Sequence, residues 1–444
     1  MEKDLITLTH VCRSWRAVLI SQSFLWSRLD FTNVEKTHVY IERSKSAHLD
    51  IFIKDSRTSP YRKDAFLLVI PHVGRVRSIV IHGGRQIFQD FTEHFSCSVP
   101  VLRALYIHPT GTSPPIFNET LFNGDLSFLS KLTLYQIAPL QSWKLSRLTT
   151  FRLTKVLRVS MTQLLDFFMN APLLSRVYLY SIPGSSDAPS GRLVSLPHLE
   201  NLLIIAHGVH SSTLLNHLSI PAGAFIKLPF YSGDHELPIS TFLPSTHKYL
   251  QNISSINSVS LEIDTPNLTL SIKLDARRGG LKMYGSWNGF TGITPVTTFS
   301  HEILQSLNYF TLSKIQSLEI KRYGIPGLDK INEPSPRYTL NTMKVLHTLS
   351  LNECNNLPFI LALNPDNNPS NLLLCPKLES LNFYVKEKAV FDIKELVNMA
   401  KKRALKGVQL QWIGLVAPGE PVPKEEVFKL REHVVHVEYI FAEE

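Results

Sequence analysis

One short phrase, apolar-x-x-apolar-x-apolar, recurs along this chain and limits what the chain can fold into. It reads Val76-x-x-Ile79-x-Ile81, Leu102-x-x-Leu105-x-Ile107 and Leu129-x-x-Leu132-x-Leu134. It continues as Leu148-x-x-Phe151-x-Leu153, Leu174-x-x-Val177-x-Leu179 and Leu199-x-x-Leu202-x-Ile204. After a gap it resumes as Ile315-x-x-Leu318-x-Ile320, Leu346-x-x-Leu349-x-Leu351 and Leu378-x-x-Leu381-x-Phe383. The first positions lie 26, 27, 19, 26 and 25 residues apart before the gap, then 31 and 32 after it. Two apolar residues spaced by two leave a strand on one face, and the residue three earlier packs beneath them. A single strand of this kind cannot bury that face alone, so copies must stack.

Most of these spacings fall in or near the roughly 20–29 residues of leucine-rich repeats. The expected fold class is therefore α/β: an irregular leucine-rich-repeat solenoid over residues 45–444, with a curved parallel sheet and helices on the convex side. Its strands should centre near residues 79, 105, 132, 151, 177, 202, 318, 349 and 381. Such an extended array also accommodates 444 residues, more than the roughly 250–300 at which one compact core stops growing. Leu346 to Cys354 carries the cysteine of the repeat consensus, whereas the other copies replace that Asn or Cys. The array should accordingly be irregular. Helices follow some strands. Ser160 with Gln163 forms a capping box ahead of Met161, Leu164, Leu165 and Phe168 at helical spacing. Asp392 with Glu395 repeats that logic ahead of Ile393, Leu396, Val397 and Ala400, with Phe391 placed as a hydrophobic staple. Leu214, Leu215 and Leu218 suggest a short helix after Ser211-Ser212.

The gap, residues 221–300, has a different pattern. Val259, Leu261 and Ile263 alternate, followed by Leu268, Leu270, Ile272 and Leu274, then Leu281 and Met283. Turn residues at Asp264–Asn267 and Arg277–Gly280 separate these runs, which predicts an antiparallel β meander inserted into the repeats or flanking them. The glycine-rich stretch from Gly285 to Gly292 lacks the spacing of a phosphate loop and reads as a surface turn.

Several function classes find little support. Hydrophobic content of 44% with 19% charged residues is that of a folded chain. No apolar run approaches the roughly 18 residues of a membrane span, and Met1-Glu2-Lys3-Asp4 opens no signal segment. A soluble protein, cytoplasmic or nuclear, with no membrane partner is expected. Cys12, Cys97, Cys354 and Cys375 show no metal or disulfide spacing and read as buried, reduced thiols. The net charge of +9 is spread along the chain, which disfavours a nucleic-acid partner. Its densest run, Lys401-Lys402-Arg403 with Lys406, complements the C-terminal end of a helix dipole. No P-loop, dinucleotide fingerprint, nucleophile elbow or zinc-protease motif occurs, and His301-Glu302 lacks a second histidine. His207 with His210 and His433 with His436 stand without a cysteine or carboxylate cluster. No catalytic, metal or cofactor-binding residue is nominated, and a non-enzymatic protein is expected.

At the N-terminus, Leu5, Leu8, Val11, Cys12 and Trp15 recur at helical spacing, and Ser23-Phe24-Leu25-Trp26 adds a second apolar cluster. The stretch Leu8-Thr9-His10-Val11-Cys12-Arg13-Ser14-Trp15-Arg16, with Leu25-Trp26 after it, resembles the second half of an F-box of mushroom-type fungal proteins. Leu196-Pro197-His198-Leu199-Glu200-Asn201-Leu202 and Leu374 to Leu381 are similar to the repeat phrases that follow it in that family. The resemblance implies a short helical F-box-like head over residues 1–32. It also implies a substrate receptor of a cullin–RING ubiquitin ligase, in which F-box helices bind the Skp adaptor of the cullin complex and the repeats present a protein target. Leu8, Val11, Cys12, Trp15, Leu25 and Trp26 would then lie in or support the adaptor-facing helices. The L-P-x-E-I/L-L phrase that opens an F-box does not precede them, which implies either a truncated gene model or weakened adaptor binding. The alternative expectation is a repeat scaffold for protein–protein interaction without a ligase role.

Overall fold

The computed structural model describes residues 2–54, 60–111, 121–139, 142–155, 159–181, 191–229, 239–244, 248–264, 269–276, 279–286, 312–323, 334–354, 356–368, 373–384, 392–416 and 423–440. The chain divides into two compact units, Met1–Leu199 and Glu200–Glu444. Both are α/β, each with a large, mostly parallel sheet.

In the first unit seven strands pair in parallel and in chain order. They are β1 (Arg28–Leu29), β2 (Leu49–Lys54), β3 (Val76–Gly83), β4 (Ala104–Pro109), β5 (Lys131–Tyr135), β6 (Thr150–Thr154) and β7 (Arg176–Tyr180). The recurring phrase sets their register. Ile79, Leu105, Leu132, Phe151 and Val177 face one another across successive strands, as do Ile81, Ile107, Leu134, Leu153 and Leu179. All ten are buried, and so are Leu102, Leu129, Leu148 and Leu174 beneath them. A register slip of one residue would turn this whole set to solvent, so burial of one face specifies the pairing.

Six helices are found among the described residues of this unit: α1 (Glu2–Leu8), α2 (Arg13–Ser21), α3 (Val34–Ser44), α4 (Asp64–Val69), α5 (Arg85–His94) and α6 (Met161–Met169). The capping box of α6 forms as expected, with the Gln163 N–H donating to Ser160 Oγ and the Ser160 N–H to Gln163 Oε1. Phe167 of α6 then packs on Phe151 of β6, with ring centroids 4.2 Å apart. No described helix joins β4 to β5 or β5 to β6 except a short 3-10 turn at Leu121–Gly124.

The second unit contains β8 (Asn201–Ile205), β9 (Phe225–Pro229), β10 (Ser258–Asp264), β11 (Thr269–Asp275), β12 (Gly280–Ser286), β13 (Ser317–Tyr323), β14 (Thr348–Asn352), β15 (Ser380–Tyr384), β16 (Trp412–Val416) and β17 (His436–Ile440). β8, β9 and β12 pair in parallel. β12, β11 and β10 pair antiparallel, and from β10 onward β13 to β17 are parallel again. The meander is therefore a member of the sheet. Its two reversals cancel, so β10 presents an edge in the direction β13 needs. β9 lies within residues 221–300 but is parallel to β8, so only β10, β11 and β12 form the meander. Gly279 is required at its last turn, because a Cβ there would stand 2.5 Å from the carbonyl oxygens of Ala222 and Ala224.

The described helices of this unit are α7 (Gly208–Asn216), α8 (Gln251–Ser254), α9 (Pro334–Thr342), α10 (Leu357–Leu363), α11 (Ile393–Leu405) and α12 (Lys424–Arg431). From α9 to α12 each packs against the next. Asp392 caps α11, accepting from the N–H groups of Lys394 and Glu395, while Phe391 lies outside the described residues. So do His301, Glu302 and residues 287–292 of the glycine-rich stretch. No described helix is long and apolar enough to cross a membrane.

Two expectations are corrected by burial. Cys354 and Cys375 are buried, but Cys12 is exposed and Cys97 half-buried. Arg403 belongs to the interior, where its guanidinium donates to the carbonyls of Leu374 and Cys375 at 2.9 Å each. It ties α11 to the loop ahead of β15, a role different from that of a solvated charge at a helix end.

Candidate docking surface

The first residues of the chain form a helical pair held by polar contacts more than by a core. α1 ends at Leu8, where Thr9 Oγ1 donates back to the Ile6 carbonyl at 2.6 Å. Cys12 then takes an extended conformation and caps α2, its Sγ accepting weakly from the Trp15 N–H at 3.5 Å. Arg16 Nε reaches the Thr9 carbonyl at 2.8 Å and ties the start of α2 to the end of α1. No residue of α2 is buried.

Trp26 anchors the far end. It lies at 1% exposure, and its indole N–H donates to the Leu19 carbonyl at 2.9 Å. Its ring meets Tyr40 of α3 edge-on at 5.1 Å, and the Arg43 guanidinium sits 4.4 Å from the ring centroid. α3 is fixed in turn by its Asn33 cap and by Lys36, whose ammonium contacts the Asp30 carboxylate at 2.5 Å. Burial alone would raise the Asp30 pKa, but Lys36 and the hydroxyl and N–H of Thr32 outweigh it and hold the carboxyl below its ordinary value.

The six residues singled out from sequence thus separate. Val11 (59% exposed), Trp15 (51%) and Cys12 face solvent. Leu8 and Leu25 are half-buried. Trp26 is core, so it can support the helical pair from behind but cannot itself meet a partner, whereas Trp15 can. Val18 (60%) and Phe24 (65%) are further exposed apolar residues of this segment. The signal for Val18 is its place three residues after Trp15 on one helix face, and Phe24 lies within the Ser23–Trp26 cluster.

Among the described residues no group of three or more His, Cys, Asp or Glu side chains gathers where a metal ion could be held. The His207 and His210 rings lie 5.8 Å apart and form no part of such a group. The chain matches no known protein-family model, and no curated protein shows significant similarity to it.

Proposed function

We propose that the chain is a substrate-receptor adaptor of a cullin–RING ubiquitin ligase, docking the Skp adaptor through residues 5–29 and a protein target through its sheet. The observation that carries this reading is the exposure of Trp15 and Val18 on α2, which buries none of its own residues, together with that of Val11 and Phe24 on the segments flanking it. Large aromatics are typical anchors of protein interfaces. Here they sit within the V-C-x-x-W-R phrase that resembles an F-box. We further propose that the sheets form an irregular leucine-rich-repeat solenoid. Supporting this, Cys354 at the consensus cysteine position donates weakly to the Ile320 carbonyl one strand back, at 3.5 Å.

One observation favours a second reading, a repeat scaffold without a ligase role. Trp26 is locked against Tyr40 and Arg43, so the head also serves as a structural cap on the first strands. A pull-down of the chain with purified Skp adaptor, run beside a thermal melt, separates the two. The ligase reading expects capture by the wild-type chain and loss of capture in Trp15→Ala with an unchanged melt. No capture at micromolar concentrations would leave only the scaffold.

A further inference from the structure

The solvent face of the first unit's sheet carries a concentration of positive charge that its own fold leaves unmatched. Register places Arg28 beside Asp50, and Ser78, Ala104 and Lys131 follow on the next strands. Arg77 and Arg103 stand just before Ser78 and Ala104. A groove of about 640 Å³ opens here, walled by Arg28, Arg77, Arg103 and Lys131 over Phe52 and Val80.

Among the described residues only one carboxylate, that of Asp50, lines it. Asp50 accepts two hydrogen bonds from Arg77, at 3.2 Å from Nε and 2.7 Å from Nη2, so that pair is satisfied. Arg28 lies 5.0 Å over the Phe52 ring. The side chains of Arg103 and Lys131 form no hydrogen bond or ion pair among the described residues. Yet the backbone holds these cations close, since the Arg103 N–H donates to the Arg77 carbonyl at 2.8 Å and the Lys131 N–H to the Arg103 carbonyl at 2.9 Å. Like charges on neighbouring strands repel one another. An anion placed between them would turn that repulsion into attraction.

We propose that this groove binds an acidic segment of a partner protein, with carboxylate side chains seated between Arg28, Arg103 and Lys131. The proposal deepens the adaptor reading by naming the chemistry of its target, and it rests on that reading only for the partner being a protein. Phe52, the one aromatic ring among the described residues of the groove, already lies beneath the Arg28 guanidinium, which leaves no free ring for a nucleobase to stack on. The apolar floor of Phe52 and Val80 instead suits the aliphatic parts of peptide side chains.

The test is fluorescence anisotropy of a short labelled Glu/Asp-rich peptide with the full chain. Its Gln/Asn counterpart and a labelled oligothymidylate serve as comparisons. The acidic peptide should bind, weaken with added salt, and bind about tenfold less tightly to Arg103→Gln/Lys131→Gln, in line with the loss of charge-assisted hydrogen bonds. Arg28→Gln should weaken it in the same direction, should the double variant fail to fold. Lys394→Gln/Lys401→Gln, which removes equal charge from exposed positions of α11, should bind like wild type. Equal binding by the groove variants, equal weakening by the α11 variant, or tighter binding of the oligothymidylate would each overturn the proposal. Adaptor pull-down of Arg103→Gln/Lys131→Gln should match wild type, so failure of the groove and failure of the ligase reading are told apart.

Discussion

The α1–α2 pair and the strands behind it carry the same kinds of side chain and treat them in opposite ways. From β2 to β7 the inward apolar residues are buried and face their counterparts on adjacent strands, and Phe151 packs in addition on Phe167 of α6. In α2 no residue is buried, Leu19 and Ile20 are half-buried, and Trp15 and Val18 are exposed, as are Val11 and Phe24 on its flanks. The difference teaches where each region's stability comes from. Strands gain theirs from apolar area removed from water, whereas the head is held by a few polar ties, Arg16 to Thr9 and Trp26 to Leu19. Apolar surface left uncovered in that way is available to a partner.

The largest effect should come where the two regions meet. Trp26→Ala should cost about 3–5 kcal/mol, as for other buried aromatic deletions, read from the denaturant midpoint. An effect below ~1 kcal/mol would mean that Trp26 belongs with the exposed head. Within the strands, Leu179→Ala and Leu349→Ala should each cost about 2–5 kcal/mol. Because contacts between stacked strands are local, hydrogen exchange should rise first in neighbouring strands. A uniform rise over the chain would contradict a strand-by-strand ledger.

Acid sharpens the contrast further. Asp90 of α5 is buried, which by itself would raise its pKa. Hydrogen bonds from Tyr61 at 2.5 Å, Lys63 at 3.0 Å and Gln86 at 3.2 Å outweigh burial and hold the carboxyl below its ordinary value. The folded pKa is thus below the unfolded one. The stabilisation is fully present above the unfolded value of about 4 and is lost as pH falls through the folded value. Melts of wild type and Asp90→Asn should therefore converge below about pH 4; a constant gap down to lower pH would remove Asp90 from the account. A smaller effect belongs to the α6 cap, where Ser160→Ala should cost about 1 kcal/mol in the same melts.

Much of the sheet was legible because burial of one strand face imposes a period of two, and that period survives in any single sequence. The same phrase continues as Leu410-x-x-Ile413-x-Leu415, with all three residues buried in and before β16, a copy that the sequence reading passed over. Other features leave no such trace. Gln136, Lys155, Ser181 and Glu353 each adopt a positive φ immediately after a strand, where glycine or asparagine would have signalled the turn. Gln136, Lys155 and Glu353 are held there by donating to the last carbonyl of the next strand, a contact that depends on the fold and not on residue type. Arg403 reads as surface charge because its carbonyl partners lie nearly thirty residues earlier. Burial lowers its pKa to about 10, so it remains charged at neutral pH. The head divides in the same way. Helical spacing marks Val11 and Trp15, but only the later helix α3, with Tyr40 and Arg43, turns Trp26 into core.

The smallest expected change in stability accompanies the largest expected change in function. Trp15→Ala should shift the unfolding free energy by no more than about 0.5 kcal/mol, as for a surface position. Titration calorimetry of the wild-type chain and of Trp15→Ala against purified Skp adaptor tests the central claim most directly. The account predicts measurable heat of binding for wild type and an affinity at least about tenfold weaker for Trp15→Ala, as expected of an aromatic interface anchor. Absence of binding by wild type, or equal binding by both, would contradict it.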